Sequence, residues 1–143
     1  MSLSRRAWLC VPPTAACWAD VGMTLAGQGT QYWAGGYAHV REFNPVARAL
    51  LQSHPLTFVA AAAASSVLVA ALLLKWRSRL AMPLSFAVTF CHAVAAAAWL
   101  LRFGAFGLVA AGVVLFMAER LWTWCTLRPA ACRVSPGPTR TAC

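Results

Sequence analysis

Three apolar stretches, 56–74, 83–101 and 104–124, are each long enough to cross a bilayer as a helix. A membrane-spanning helix takes about 20 mostly apolar residues at roughly 1.5 Å rise per residue. The first two stretches hold no Asp, Glu, Lys or Arg, and the third holds only Glu119 and Arg120, close to its end. With 61% of its 143 residues hydrophobic, the chain carries more Ala, Val, Leu and Phe than a soluble domain of this length hides in a core. The pattern predicts an all-α integral membrane protein built as one domain rather than two.

The net charge of +9 does not point to nucleic acid, because the basic residues flank apolar runs instead of sharing one face. Cytoplasmic links of membrane proteins are enriched in Lys and Arg. Lys75, Arg77 and Arg79 crowd the link after the first strong run, which makes that link cytoplasmic. The link at Arg102 is then outside, the tail with Arg128, Arg133 and Arg140 inside, and the segment before Leu56 outside. Residues 8–28 follow Arg5 and Arg6 and are moderately apolar, though interrupted by Pro12, Pro13 and Asp20. Counting them as a span leaves only Arg41, Arg48 and Arg102 among the basic residues outside.

The expectation is therefore an integral membrane four-helix bundle with spans over about 8–28, 56–75, 83–101 and 104–124 and both termini cytoplasmic. It forms a single transmembrane domain over 1–127, followed by a disordered basic tail over 128–143. The expected location is the bacterial inner (cytoplasmic) membrane. A rival reading takes residues 1–19 as a cleaved targeting segment; Arg5 and Arg6 fit it, whereas Pro12-Pro13 breaks the apolar stretch early. The cysteines fall within spans or on the inner side, so no disulfide framework is implied, and their spacing is no zinc signature.

Asn44-Pro45 is a helix start, since Asn caps and Pro suits the first helical position. It predicts a short interfacial helix over about 45–53 in the outer loop, with Val46, Ala49 and Leu50 on one side and Arg48 and Gln52 on the other. Small residues recur at four-residue spacing in Ala87, Cys91 and Ala95 and in Gly107 and Ala111, beside the run Ala60–Ser66. Such faces let helix backbones approach closely, within the bundle or against another membrane subunit.

Polar residues inside spans are costly and mark pairing or functional sites. Asp20, Thr24, Gln28 and Gln31 form one helical stripe, and Ser85, Thr89 and His92 form a second. Asp20 and His92 lie at similar depth, which predicts a hydrogen bond between them at the heart of a polar intramembrane centre. Such a bond serves as interhelical glue or, because His titrates near neutral pH, as part of a proton relay. Glu119 is expected to form an inner-interface ion pair with Lys75, Arg77 or Arg79. His39, Glu42 and His54 match no metal-site spacing. The chain holds no Gly-x-Ser-x-Gly, His-Glu-x-x-His or P-loop, so no enzyme is expected.

Asp20-x-x-x-Thr24, Gly35-Gly36, Glu42-Phe43-Asn44-Pro45, Pro55 and Lys75 occur in that order. This succession resembles a family of small uncharacterised prokaryotic multi-span membrane proteins, over residues 15–76. The resemblance implies a topology and carries no agreed activity. In physical terms Asn44 caps the short helix, Pro45 starts it, and Glu42 sets a carboxylate near its positive end. Should that helix dip toward the bundle, its amino end and the Asp20 stripe would form one polar pocket.

The preferred expectation is a small non-catalytic accessory or structural subunit packing against other transmembrane helices of a larger complex. The alternative is a small transporter or proton-handling protein using Asp20, His92 and Glu119. No cofactor is implied beyond lipid or pigment contacts, and the expected partners are membrane lipids and other transmembrane subunits.

Overall fold

The computed structural model describes residues 3–75 and 78–127, nearly all of them helical, with turns and short irregular stretches between the helices. The elements are α1 (Leu3–Ala26), α2 (Thr30–Trp33), a 3-10 turn (Tyr37–His39), α3 (Pro45–Ser53), α4 (Pro55–Lys75), α5 (Ser78–Leu100), a second 3-10 turn (Leu101–Phe103) and α6 (Gly104–Leu127). The tail over 128–143 and Arg77 lie outside the described residues.

Side-chain contacts set the helix directions. Ser85 on α5 meets Leu9 on α1, and His92 meets Asp20, so α1 and α5 run parallel. Arg6 donates from Nη1 to the Leu74 carbonyl at 2.7 Å, and Ser66 lies 3.6 Å from the Cys17 sulfur, so α4 runs antiparallel to α1. Trp8 and Trp124 meet edge-on with ring centroids 5.5 Å apart, which makes α6 antiparallel as well. Leu3 and Leu127 therefore lie at one end, and the connection 27–54 at the other. α1 is central: it packs on α4, α5 and α6, whereas α4 meets α5 sparingly and α6 not at all.

α1 runs unbroken through Pro12 and Pro13. Proline has no N–H, so Pro13 leaves the carbonyl of Leu9 without its helical donor. Ser85 Oγ donates to that carbonyl at 2.8 Å in a buried site, the kind of repair that lets proline persist where water is scarce. Ser85→Ala is expected to cost about 1–2 kcal/mol. In a Pro13→Ala background, where the new N–H can serve Leu9, the loss shrinks. A double-mutant cycle by thermal unfolding in detergent measures the difference.

Some polar side chains are buried among an otherwise apolar core, while large apolar ones stand exposed. Thr24, Ser85, Thr89 and Thr126 are buried, whereas Val67, Phe90, Phe106, Val109 and Phe116 are exposed. Two stretches, Pro55–Lys75 and Arg79–Leu127, are long and apolar enough to cross a membrane. The second divides into α5 and α6 at the turn, where Gly104 takes φ +64, a backbone region that glycine enters without a Cβ penalty. α5 and α6 then fold back on each other.

The connection 27–54 builds its own small core. Tyr32 and Leu51 are fully buried beside Val40, with Leu25, Tyr37 and Phe58 packed around them. Tyr32 donates its hydroxyl to the Leu51 carbonyl at 3.1 Å. This core adds a second face to the short helix, beside the side that carries Val46, Ala49 and Leu50. Leu51 is the buried residue of α3, while Val46 and Ala49 are exposed. The helix turns toward Tyr32, a partner that helical periodicity alone does not reveal.

Candidate functional site

Asp20 and Thr24 stand one turn apart on α1, and His92 stands on the facing side of α5. His92 Nδ1 lies 2.9 Å from Asp20 Oδ2, a bond partly shielded from solvent. The other expected members of the polar centre are engaged elsewhere. Thr89 donates to the Ser85 carbonyl of its own helix at 2.6 Å. Gln28 lies past the end of α1, donates to the carbonyls of Thr24 and Arg41, and accepts from the Arg41 N–H at 2.8 Å. It pins the connection 27–54 to α1 and is no part of the Asp20–His92 pair. Double alanine substitution of Asp20 and His92 is expected to show a coupling of about 1 kcal/mol, the size of an interhelical hydrogen bond in a membrane. Thermal unfolding of the two single variants and the double variant measures it.

The outer-loop residues assemble into a helix cap. Asn44 Oδ1 accepts from the N–H groups of Val46 and Ala47 at 3.0 and 3.4 Å, and Pro45 opens α3. Glu42 Oε1 accepts from the Asn44 N–H at 2.8 Å, which sets the carboxylate beside the positive end of the helix.

Between this cap and the Asp20–His92 pair lies a cavity of about 360 Å³, bounded by α1, α3, α4 and α5. Glu42, Phe43 and Asn44 line it at one end and Asp20 and His92 at the other, with Thr24 on the α1 side. Its apolar walls include Phe58, Ala61, Ala62, Ala95, Ala98 and Trp99. Arg102 lines it too, its guanidinium 3.8 Å above the Trp99 ring and 5.8 Å from the centre of Phe43. Cation and ring attract through the ring's electron-rich face. The sparse α4–α5 contact leaves the space open, and the short alanine side chains of both helices keep it so. On the far side of His92 a void of about 20 Å³ is lined by Thr14, Cys17, Ser65 and Ser66, room for one water molecule. Beyond it Leu9, Leu73 and Ala81 pack into an apolar cluster with Val69.

Among the described residues Glu119 is held within its own helix, and Arg77, one of its expected partners, lies outside them. Thr123 Oγ1 donates to its Oε1 at 2.8 Å, and no ion pair joins it to Lys75 or Arg79 among the described residues. For Lys75 the reason is topological: it closes α4, and α4 shares no contact with α6. Nearness along the chain across the link at 75–79 does not bring the two helices together.

Arg102, Trp99, Cys17 and the α4 alanines belong to the site without having been singled out for it. Trp99 and Arg102 carried a local signal, an aromatic and a cation three residues apart at a helix end. Ala61 and Ala62 carried none, because the same small residues serve close packing and open space alike. The chain matches no family model, no curated protein and no solved structure, which leaves the geometry of the cavity as the basis for a functional reading.

Proposed function

We propose that this chain is a non-catalytic four-span membrane protein, with both termini cytoplasmic and α3 at the outer interface, that takes a small solute from the outer side. It handles the solute or accompanying protons through Asp20 and His92. One observation carries the reading: a single cavity joins the outer-loop residues Glu42 and Asn44 to the Asp20–His92 pair. An ion-pairing group at the bottom of an apolar-walled cavity is the common form of a small-molecule site. The exposed large apolar side chains and the two stretches long and apolar enough to cross a membrane support the membrane setting. The resemblance of residues 15–76 to small prokaryotic multi-span proteins supports a bacterial inner membrane. Glu119, engaged with Thr123 in the half of α6 remote from the cavity, takes no part.

The test is proton movement in proteoliposomes loaded with a pH-sensitive dye. Amines, carboxylates, amino acids and sugars are added in turn. A solute that drives a pH change with the natural protein, and not with Asp20→Asn, supports the proposal. Responses equal to those of empty vesicles for every solute count against it.

A second reading is the accessory subunit. α4 is the observation in its favour, because Leu73 alone of its residues is fully buried and Leu56, Val67 and Leu68 are exposed. The small residues Gly107 and Ala111 weigh the other way, since they are already buried in the chain's own packing. Native mass spectrometry after mild extraction separates the two. A fixed ratio with larger membrane subunits or pigments favours the subunit, and the chain alone or with copies of itself favours the solute-binding protein.

A further inference from the structure

We infer that the solute is a small organic monocation, a protonated amine on an apolar body; this rests on the solute-binding reading above. The cavity lining carries the carboxylates Asp20 and Glu42. Each has one oxygen engaged, Asp20 Oδ2 by His92 and Glu42 Oε1 by the Asn44 N–H. The second oxygen of each has no hydrogen-bond partner among the described residues. Arg102 is the one permanently charged cation in the lining, and its guanidinium is already seated on Trp99.

Each class of solute meets this arrangement differently. An anion faces two carboxylates across apolar walls that screen charge poorly. A neutral solute displaces water from carboxylate oxygens and returns no charge to them. An ammonium group donates to those oxygens in a charge-assisted bond, and Phe58 in the lining adds an aromatic ring. Arg102 over Trp99 shows that a ring at this cavity takes a cation. The alanines at 61, 62, 95 and 98 form a smooth wall for an apolar body. A metal cation is disfavoured on ligand geometry, because no three His, Cys, Asp or Glu side chains converge among the described residues.

The experiment is calorimetric titration of the full chain in lipid nanodiscs with four probes of one shape: phenethylamine, 3-phenylpropionate, 2-phenylethanol and zwitterionic phenylalanine. Phenethylamine is expected to bind at least about tenfold tighter than the other three. Asp20→Asn and Glu42→Gln are each expected to weaken it about tenfold, and Arg120→Gln, remote from the cavity, leaves it unchanged. Ala62→Leu fills the cavity and abolishes binding without touching a polar group. Preference for any of the other probes overturns the amine assignment and leaves the solute-binding reading standing. Unchanged phenethylamine affinity in Ala62→Leu overturns the assignment to this cavity. Binding of none of the four overturns both. The comparison among probes is made on the natural protein, so it stands even where a variant folds poorly.

Discussion

Gly107→Ala is expected to destabilise the chain by about 3 kcal/mol, the upper end of what one added methyl does in a packed interior. A Cβ at Gly107 runs into the carbonyl of Leu100 and comes within 3.2 Å of the Phe103 Cβ. The obstacle is backbone, so no rotamer change relieves it, and α6 must back away from the end of α5. Gly112→Ala on the same helix is the control, because nothing lies within 4 Å of a Cβ there. It is expected to be neutral or to stabilise by up to about 1 kcal/mol through helix propensity. Gly27→Ala falls between them, since its methyl meets the Trp99 ring, a side chain with some freedom to turn. Thermal unfolding in detergent ranks the three. Equal melting temperatures for Gly107→Ala and Gly112→Ala would show that α5 and α6 do not meet at Leu100.

Tyr32→Ala is expected to remove about 3–5 kcal/mol from the outer connection, the usual result of deleting a fully buried aromatic. Tyr32 is the centre of that small core, with Trp33 and Tyr37 ring centroids at 5.2 and 5.3 Å and a hydrogen bond to Leu51. The loss is local, so amide hydrogen exchange over residues 28–53 rises while exchange in α5 and α6 stays slow. The same residue gives the connection an alkaline limit. Burial, and then neighbouring Tyr37, push the Tyr32 phenol above its ordinary value of 10.0. The folded form favours the neutral phenol, so the stabilisation is complete below pH 10.0 and fades as pH rises through the higher folded value. Tyr32→Phe keeps the ring and is expected to abolish that pH dependence.

What the amino-acid sequence disclosed follows the range of the interactions involved. Apolar run length and the Asn44-Pro45 cap depend on neighbours a few residues away, and both translate into helices near the expected bounds. The meeting of Asp20 and His92 was also legible, because helix direction and depth fix which polar residues stand level. The partner of Glu119 was not. Thr123 stands one turn further along the same helix, and composition does not rank such a bond within one helix against a longer-range ion pair. The start of α1 at Leu3 and of α5 at Ser78 extends each helix beyond its apolar run; charged and polar residues at helix ends keep helical geometry without being hydrophobic. The cavity was legible at its two polar ends and invisible between them, where alanine carries no signal.

The central place of α1 bears on how such a chain is made. α1 is the one long helix that is not apolar enough to count as a span on its own composition, and it is the helix that its neighbours enclose. Within the proposed membrane setting, α4, α5 and α6 can partition into lipid singly, whereas α1 needs companions to cover Asp20 and the carbonyl of Leu9. α1 precedes its companions in the chain and is nevertheless the last of these helices to be stably lodged. A nascent chain halted before α5 leaves α1 without the histidine and the serine that complete it.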